Sequence, residues 1–426
     1  MSDESRENSQ GIEEPVEPQE PKFLERQWNR LSHRFSSSRI PFLLLGGFIA
    51  IVLAKVLLIL FLDWMILEET FPNSWLYIDP YDANDIVGTP EIILGLANRW
   101  DAHHFIEIAR NGYPSGEEIG LLFAFAPMYP WMIAVVGQVV GNLYVAGAVV
   151  SNVFYFLSII SFYKVARLYM DYEISCLITV AFGLFPMYLT YGTLAYSEAP
   201  YLFFATASWY FFKKEQYLFS SIFLTLSIFT RYISLLLVLV YGVIILSNLI
   251  DKYKEEKSLL KAFNFRFLWF IIPGVCLTAL FLYFQSLTGH FFAAFEAHGW
   301  FGDSLATPFH QFRWFFEGYF TEMNPGVDPI LLMIQRYMFT IPFLVLTLLL
   351  FKDDVELGLY GALFMWFTLS MEGISGVASP RIMLSAWVAM LAFKDRISLG
   401  LIIVMSVMFF FFGLWVMHQF QLTFFA

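Results

Sequence analysis

Only 14% of the 426 residues are charged, and only two are cysteines. The first scarcity excludes a soluble protein, whose surface takes roughly a quarter charged residues. The second excludes a disulfide framework and a thiolate metal site, because Cys176 and Cys276 both fall inside apolar runs, where they act as small hydrophobes. No Walker loop and no GxGxxG occurs, so ATP-driven and dinucleotide chemistry have no handle. There is no basic stripe for a nucleic-acid partner, no Asn-x-Ser/Thr sequon and no convincing internal repeat. The missing repeat weighs against transporters, which often carry paired halves. The N-terminus lacks the apolar core of a signal peptide, so the first span is expected to direct insertion itself.

What is present is apolar: 58% hydrophobic and 19% aromatic residues, in recurring runs from Pro41 onward. Their length, about 20 residues, is what a bilayer demands. The expected fold class is an all-α polytopic membrane protein. Much of the net charge of −11 sits in residues 1–25, among prolines. Such a segment cannot bury enough apolar surface to fold. Residues 1–39 are therefore expected to be a disordered acidic cytoplasmic tail with a basic juxtamembrane end, and 40–426 the transmembrane domain.

Arg26, Arg30, Arg34 and Arg39 precede the first span, about 41–62, and place the N-terminus in the cytoplasm. A long external loop, about 63–142, follows. Leu121–Gly141 is apolar enough to cross, yet Pro127 and Pro130 make it a poor straight helix. If it only dips into the outer interface, the later spans fall near 143–163, 174–195, 199–212, 217–230, 232–250, 267–287, 330–351, 356–371, 382–393 and 397–417. Every loop lysine then faces inward, as the positive-inside rule asks. This gives about 11 transmembrane helices and a second large external loop near 288–329.

With lysines confined inside, Arg99, Arg110, Arg231, Arg313, Arg336 and Arg381 face outward. Arginine's planar fork of donors suits phosphate, while interfacial snorkelling is the plainer account of some of them. The stretch RWDAHHFIEIARNGYP, residues 99–114, concentrates acid, base and cation. Asp101 there is a candidate general base, since partial desolvation raises its basicity and a nearby cation keeps it ionised. Capping of the following helix is the alternative.

His103 and His104 with Asp101 are a possible divalent site. Adjacent histidines on a helix point about 100° apart, so at most one shares a face with Asp101, and the spacing does not support a metal. Glu198 in YSEAPY either starts a helix or serves the site. Arg231 in FTRYIS lies in apolar surroundings and needs an anionic partner, which Glu198, Asp101 or a bound phosphate can supply. Arg381 in ASPRIML repeats that pattern. Lys55, inside the first span, either snorkels or enters an internal cavity. The second large loop carries Gln311 and Trp314 among other polar and aromatic residues and is a candidate cover for the site.

The ordered series RWDAHHFIEIARNGYP, FAPMYP, YSEAPYLFF, FTRYISLLL and ASPRIML resembles the PIG-V-related mannosyltransferases of the GT-C superfamily. FAPMYP departs from the family's usual Phe-Phe-Pro or His-Phe-Pro, which bears on the entrance to the site. The resemblance implies transfer of one sugar, mannose, from a polyprenyl-phosphate donor such as dolichyl phosphate mannose to a glycolipid or glycan acceptor on the outer side. It also implies an acidic residue in the first external loop, matching Asp101.

On this reading Asp101 is catalytic, and Arg231, Arg381 and His103 hold the donor phosphate. Trp100, His104, Tyr113, Tyr129, Glu198, Gln311 and Trp314 bind substrate. No cofactor is required, because the leaving group is already a phosphodiester. The expected location is the cell membrane of a prokaryote or the endoplasmic reticulum membrane of a eukaryote. The alternative function is a transporter or flippase for a lipid-linked or polar solute.

Overall fold

The computed structural model describes residues 23–67, 88–302 apart from 117, 305, 307, 329–371, 379–394 and 398–422. Among them the regular structure is helical, with one isolated antiparallel bridge between Leu305 and Met371. The order is α1 (Phe23–Leu67), α2 (Glu91–Ala97), α3 (Asp101–Asn111), a 3-10 turn at Leu121–Ala124, α4 (Met128–Val140), α5 (Leu143–Tyr169) and α6 (Tyr172–Leu184). Next come α7 (Pro186–Tyr191), α8 (Glu198–Lys213), α9 (Tyr217–Thr230), α10 (Leu235–Glu256), α11 (Leu259–Ala262), α12 (Ile271–Thr288) and α13 (Ala293–Glu296). The last are α14 (Pro329–Asp353), α15 (Val355–Ser370), α16 (Ser379–Ile382), a 3-10 segment at Met383–Phe393 and α17 (Leu399–Leu422).

Five stretches among the described residues are long and apolar enough to cross a bilayer: Leu43–Ile66, Leu143–Tyr169, Tyr232–Glu256, Phe265–Thr288 and Gly400–Phe420. Shorter apolar helices include α4, α6, α9, α15 and the 3-10 segment. Large hydrophobic side chains such as Leu53, Leu60, Val243 and Phe411 point outward, as lipid-facing residues do. The chain is a polytopic all-α membrane protein.

Three elements differ from the sequence expectation. α1 opens at Phe23 instead of Pro41, so 23–39, expected to be disordered, continue the helix. FLERQWNRL is rich in strong helix formers, which favours that extension. The span expected at 174–195 is broken into α6 and α7, with Phe185 at φ −57°, ψ 126° between them. Pro186 causes the break: its ring crowds the preceding residue out of the helical region. The span expected at 382–393 forms as 3-10 helix, with Ala386 non-helical inside it.

α5 is the axis of the site-bearing half, packing along α8, which in turn packs along α9. Close approach of α5 and α8 rests on small polar residues, with Ser161 and Thr206 sharing a hydrogen bond between them. α4 is 13 residues long, hence about 20 Å, which is short of the roughly 30 Å hydrocarbon core. It packs against α3 and α5, and the buried Tyr129 hydroxyl is 2.7 Å from Ser151 Oγ and 3.1 Å from Gly147 O.

The break after α6 turns residues 192–197 inward. Ala195 N donates to Leu96 O at 2.9 Å, tying this turn to α2. Lys55 does not snorkel: it is buried, donates to Gly192 O at 2.9 Å, and sits 3.6 Å from the centroid of the Tyr155 ring. A Cβ on Gly192 would strike the Tyr155 ring and lie 2.7 Å from Tyr188 O. Gly192→Ala is therefore expected to cost about 1–3 kcal/mol through overpacking. A melting temperature equal to that of the parent would refute this.

Candidate active site

Four of the sequence motifs, far apart along the chain, meet in one place. Asp101 is the first residue of α3, Glu198 the first of α8, Arg231 the residue that ends α9, and Arg381 lies in α16. Arg381 Nη1 donates to Asp101 Oδ2 at 2.7 Å, and its Nε lies 3.1 Å from Glu198 Oε1. The second contact is an ion pair without the alignment of a hydrogen bond. Arg231 Nη1 also donates to Glu198 Oε1, and to Ser197 Oγ at 3.3 Å. The result is an alternating chain, Asp101, Arg381, Glu198, Arg231, whose formal charges sum to zero.

Local sequence explains how each member is held. Ser197 and Glu198 precede Pro200, whose fixed φ and missing N–H are tolerated in a first helical turn. Arg231 leaves helical geometry at φ −151°, ψ 125°, so its side chain departs from α9 toward α8. Asp101 does not cap α3: the cap position is Trp100, and no side-chain cap bond is made. Trp100 adopts φ 51°, ψ −128°, a region that costs a non-glycine residue about 1–3 kcal/mol. Its indole Nε1 donates to Phe420 O at 3.2 Å, which helps hold the strained turn that aims Asp101.

Burial separates the two carboxylates. The Glu198 side chain is 3% exposed and Asp101 18%. Glu198 Oε2 is buried with no hydrogen-bond partner, while Asp101 is the more accessible of the two carboxylates. Arg381 lies within 5.6 Å of the Tyr191 ring and 5.4 Å of the Tyr196 ring. Burial alone would lower the Arg381 pKa, but Asp101 and Glu198 outweigh it and hold the guanidinium firmly charged. Tyr191 and Tyr196 are site residues that sequence reasoning missed. Their only signal was the tyrosine-rich run leading into Glu198.

The remaining predicted residues divide. Tyr113 is buried and donates to Phe125 O at 2.5 Å, and burial pushes its phenol well above the usual range. Tyr113 and Tyr129 both have their hydroxyls bonded within the fold. Gln311 and Trp314 lie outside the described residues. His103 and His104 do not join Asp101. Both approach Glu107: His103 Nε2 and His104 Nδ1 are each 3.8 Å from Glu107 Oε2. Glu107 replaces Asp101 in that group because Asp101 is turned to Arg381.

Such an arrangement offers a reachable base, an inner carboxylate and two guanidinium groups in a largely dry setting. A model of the family described as mannosyltransferase (PIG-V) matches residues 49–305, more than half of the chain. That range includes Asp101, Glu198 and Arg231, while Arg381 reaches the site from beyond it. A search of curated proteins gives no match. The chain belongs to the PIG-V mannosyltransferase family and is a multi-pass membrane glycosyltransferase.

Proposed function

We propose that the protein moves a single mannose from a polyprenyl-phosphate donor to an acceptor hydroxyl on the external or lumenal side, with inversion at the anomeric carbon. The GT-C architecture, with about 11 spans, α4 as an interfacial element and the N-terminus in the cytoplasm, belongs to the same reading. The carrying observation is the convergence of Asp101, Glu198, Arg231 and Arg381 into one charge-balanced cluster.

In this mechanism Asp101 removes the acceptor hydroxyl proton as that oxygen attacks the anomeric carbon. The bond from that carbon to the phosphate oxygen breaks, and polyprenyl phosphate leaves with the electron pair. The donor phosphodiester carries one negative charge, and the departing monoester gains a second. Protonation of Asp101 removes one of the two carboxylates that Arg381 balances. Its guanidinium charge is released for the leaving phosphate as the new charge develops there. Glu198 holds Arg231 and Arg381 side by side, so that both forks are fixed before the donor arrives.

An open apolar groove of about 420 Å³ is lined by Trp131, Phe229, Cys276, Leu280 and Tyr283. Its apolar lining suits a lipid tail. The chemistry asks for no cofactor. The deciding experiment incubates purified protein with labelled polyprenyl-phosphate mannose and extracts lipid and protein fractions. Transfer of label is expected, and Arg231→Ala is expected to raise the KM for the donor by roughly 10-fold or more, as loss of a charge-assisted contact predicts. No transfer to either fraction, or an unchanged donor KM in the variant, would overturn the donor assignment.

A further inference from the structure

We propose that His103, His104 and Glu107 form a binding site for one divalent transition metal of the zinc class, separate from the Asp101 charge network. Their positions along α3 produce it. At about 100° per residue, Glu107 projects roughly 40° from His103 and 60° from His104, between the two imidazoles. Three ligands thus share one arc of the helix, and a ligand atom from each lies within 4.8 Å of the others.

The geometry is close to that of a coordinated ion. Each imidazole nitrogen is 3.8 Å from Glu107 Oε2, too far for a hydrogen bond. In a tetrahedral site with bonds of about 2.0–2.1 Å, neighbouring ligand atoms stand roughly 3.3–3.4 Å apart, so small side-chain rotations would close the set. His104 Nδ1 is buried and makes no hydrogen bond, leaving a lone pair or proton with nothing to receive it. Phe125, whose ring centroid is 5.1 Å from that of His104, and the edge-on ring of His103 at 5.5 Å restrain the imidazole.

Ligand chemistry selects the ion. Two nitrogens and one carboxylate oxygen suit zinc and its borderline neighbours, whereas calcium and magnesium ask for all-oxygen shells. Glu107 is 33% and His104 26% exposed, so an ion has a path in and keeps an open coordination position for a water or anionic oxygen. The site begins about half a turn beyond Asp101 and ends within two turns of it on the same helix. The inference does not depend on which sugar or acceptor is used.

Metal binding is read directly, without turnover. The full chain in detergent, stripped with chelator, is titrated with Co2+ while its visible absorption is recorded. One equivalent is expected to bind with the intense bands of a four- or five-coordinate site and to be displaced by Zn2+. Glu107→Gln and His104→Ala should each weaken Co2+ binding by about 10-fold or more, while Asp101→Asn should bind as the parent does. Gel filtration and melting establish that each variant is folded. Absence of stoichiometric binding in the parent overturns the site, as does affinity unchanged in both ligand variants. Loss confined to Asp101→Asn would overturn this ligand set in favour of another.

Discussion

Replacing Asp101 by asparagine is expected to reduce mannosyl transfer by about 100-fold or more, while the chain still inserts and folds. The amide keeps the shape of the carboxyl group and can accept from Arg381 Nη1, now 2.7 Å from Asp101 Oδ2. It cannot take a proton from the acceptor. It also removes one negative charge from a balanced set of four, and Arg381 retains Glu198 as its partner at 3.1 Å. The loss should fall on turnover more than on donor affinity, because the proton moves only in the transition state. Turnover of labelled donor by the purified variant, with its melting curve beside that of the parent, measures both halves. Near-normal turnover would remove Asp101 from the mechanism.

Arg381→Leu should be the most damaging change to stability. It leaves Asp101 and Glu198 without the guanidinium that joins them, in a setting where Glu198 is 3% exposed. Removing one partner from a buried ionic set costs about 3–5 kcal/mol, because the remaining charges cannot recover their hydration. Arg231 still compensates Glu198, so Asp101 bears most of the loss. Arg381→Lys restores the charge without the fork that reaches two carboxylates, and should fall between parent and leucine variant. Thermal unfolding in detergent orders the three. A leucine variant that melts with the parent would show that the network contributes specificity and no stability.

Much of this site was legible in the sequence because charge inside an apolar neighbourhood is costly and therefore conspicuous. Glu198, Arg231 and Arg381 were visible on that ground, and Asp101 through the crowding of acid, base and cation in residues 99–114. Arg231 had three candidate partners, and Glu198 is the one that the fold supplies. The pairing of Arg381 with Asp101 was not readable, since 280 positions separate them and no local periodicity encodes such a contact. Tyr113 and Tyr129 stood out because they fall within the motifs, and the fold shows where their hydroxyls bond. Glu107 stands four positions after His103 and three after His104, the helical spacing that brings it to both imidazoles.

For the fold, hydropathy located the apolar segments well and their internal geometry poorly. The boundaries expected at 143, 217 and 356 lie within a residue of α5, α9 and α15. The division at Phe185 and Pro186 went unseen because hydropathy sums side chains and ignores the backbone restriction that proline imposes. That division turns Gly192 toward Lys55 and brings Tyr191 and Tyr196 beside Arg381. The family match is to a glycosyltransferase, and nothing among the described residues supports a transporter.

Trp100 bonded to Phe420, and Asp101 to Arg381, set a timetable for biosynthesis. A chain delivered only as far as residue 305 already carries Asp101, Glu198 and Arg231, two acids against one guanidinium. The missing cation arrives only with residue 381, and the carbonyl that steadies the turn at Trp100 arrives later still, with residue 420. Until then the half-made site carries unneutralised negative charge. A chain that stops short of α16 therefore lacks the guanidinium that joins Asp101 to Glu198.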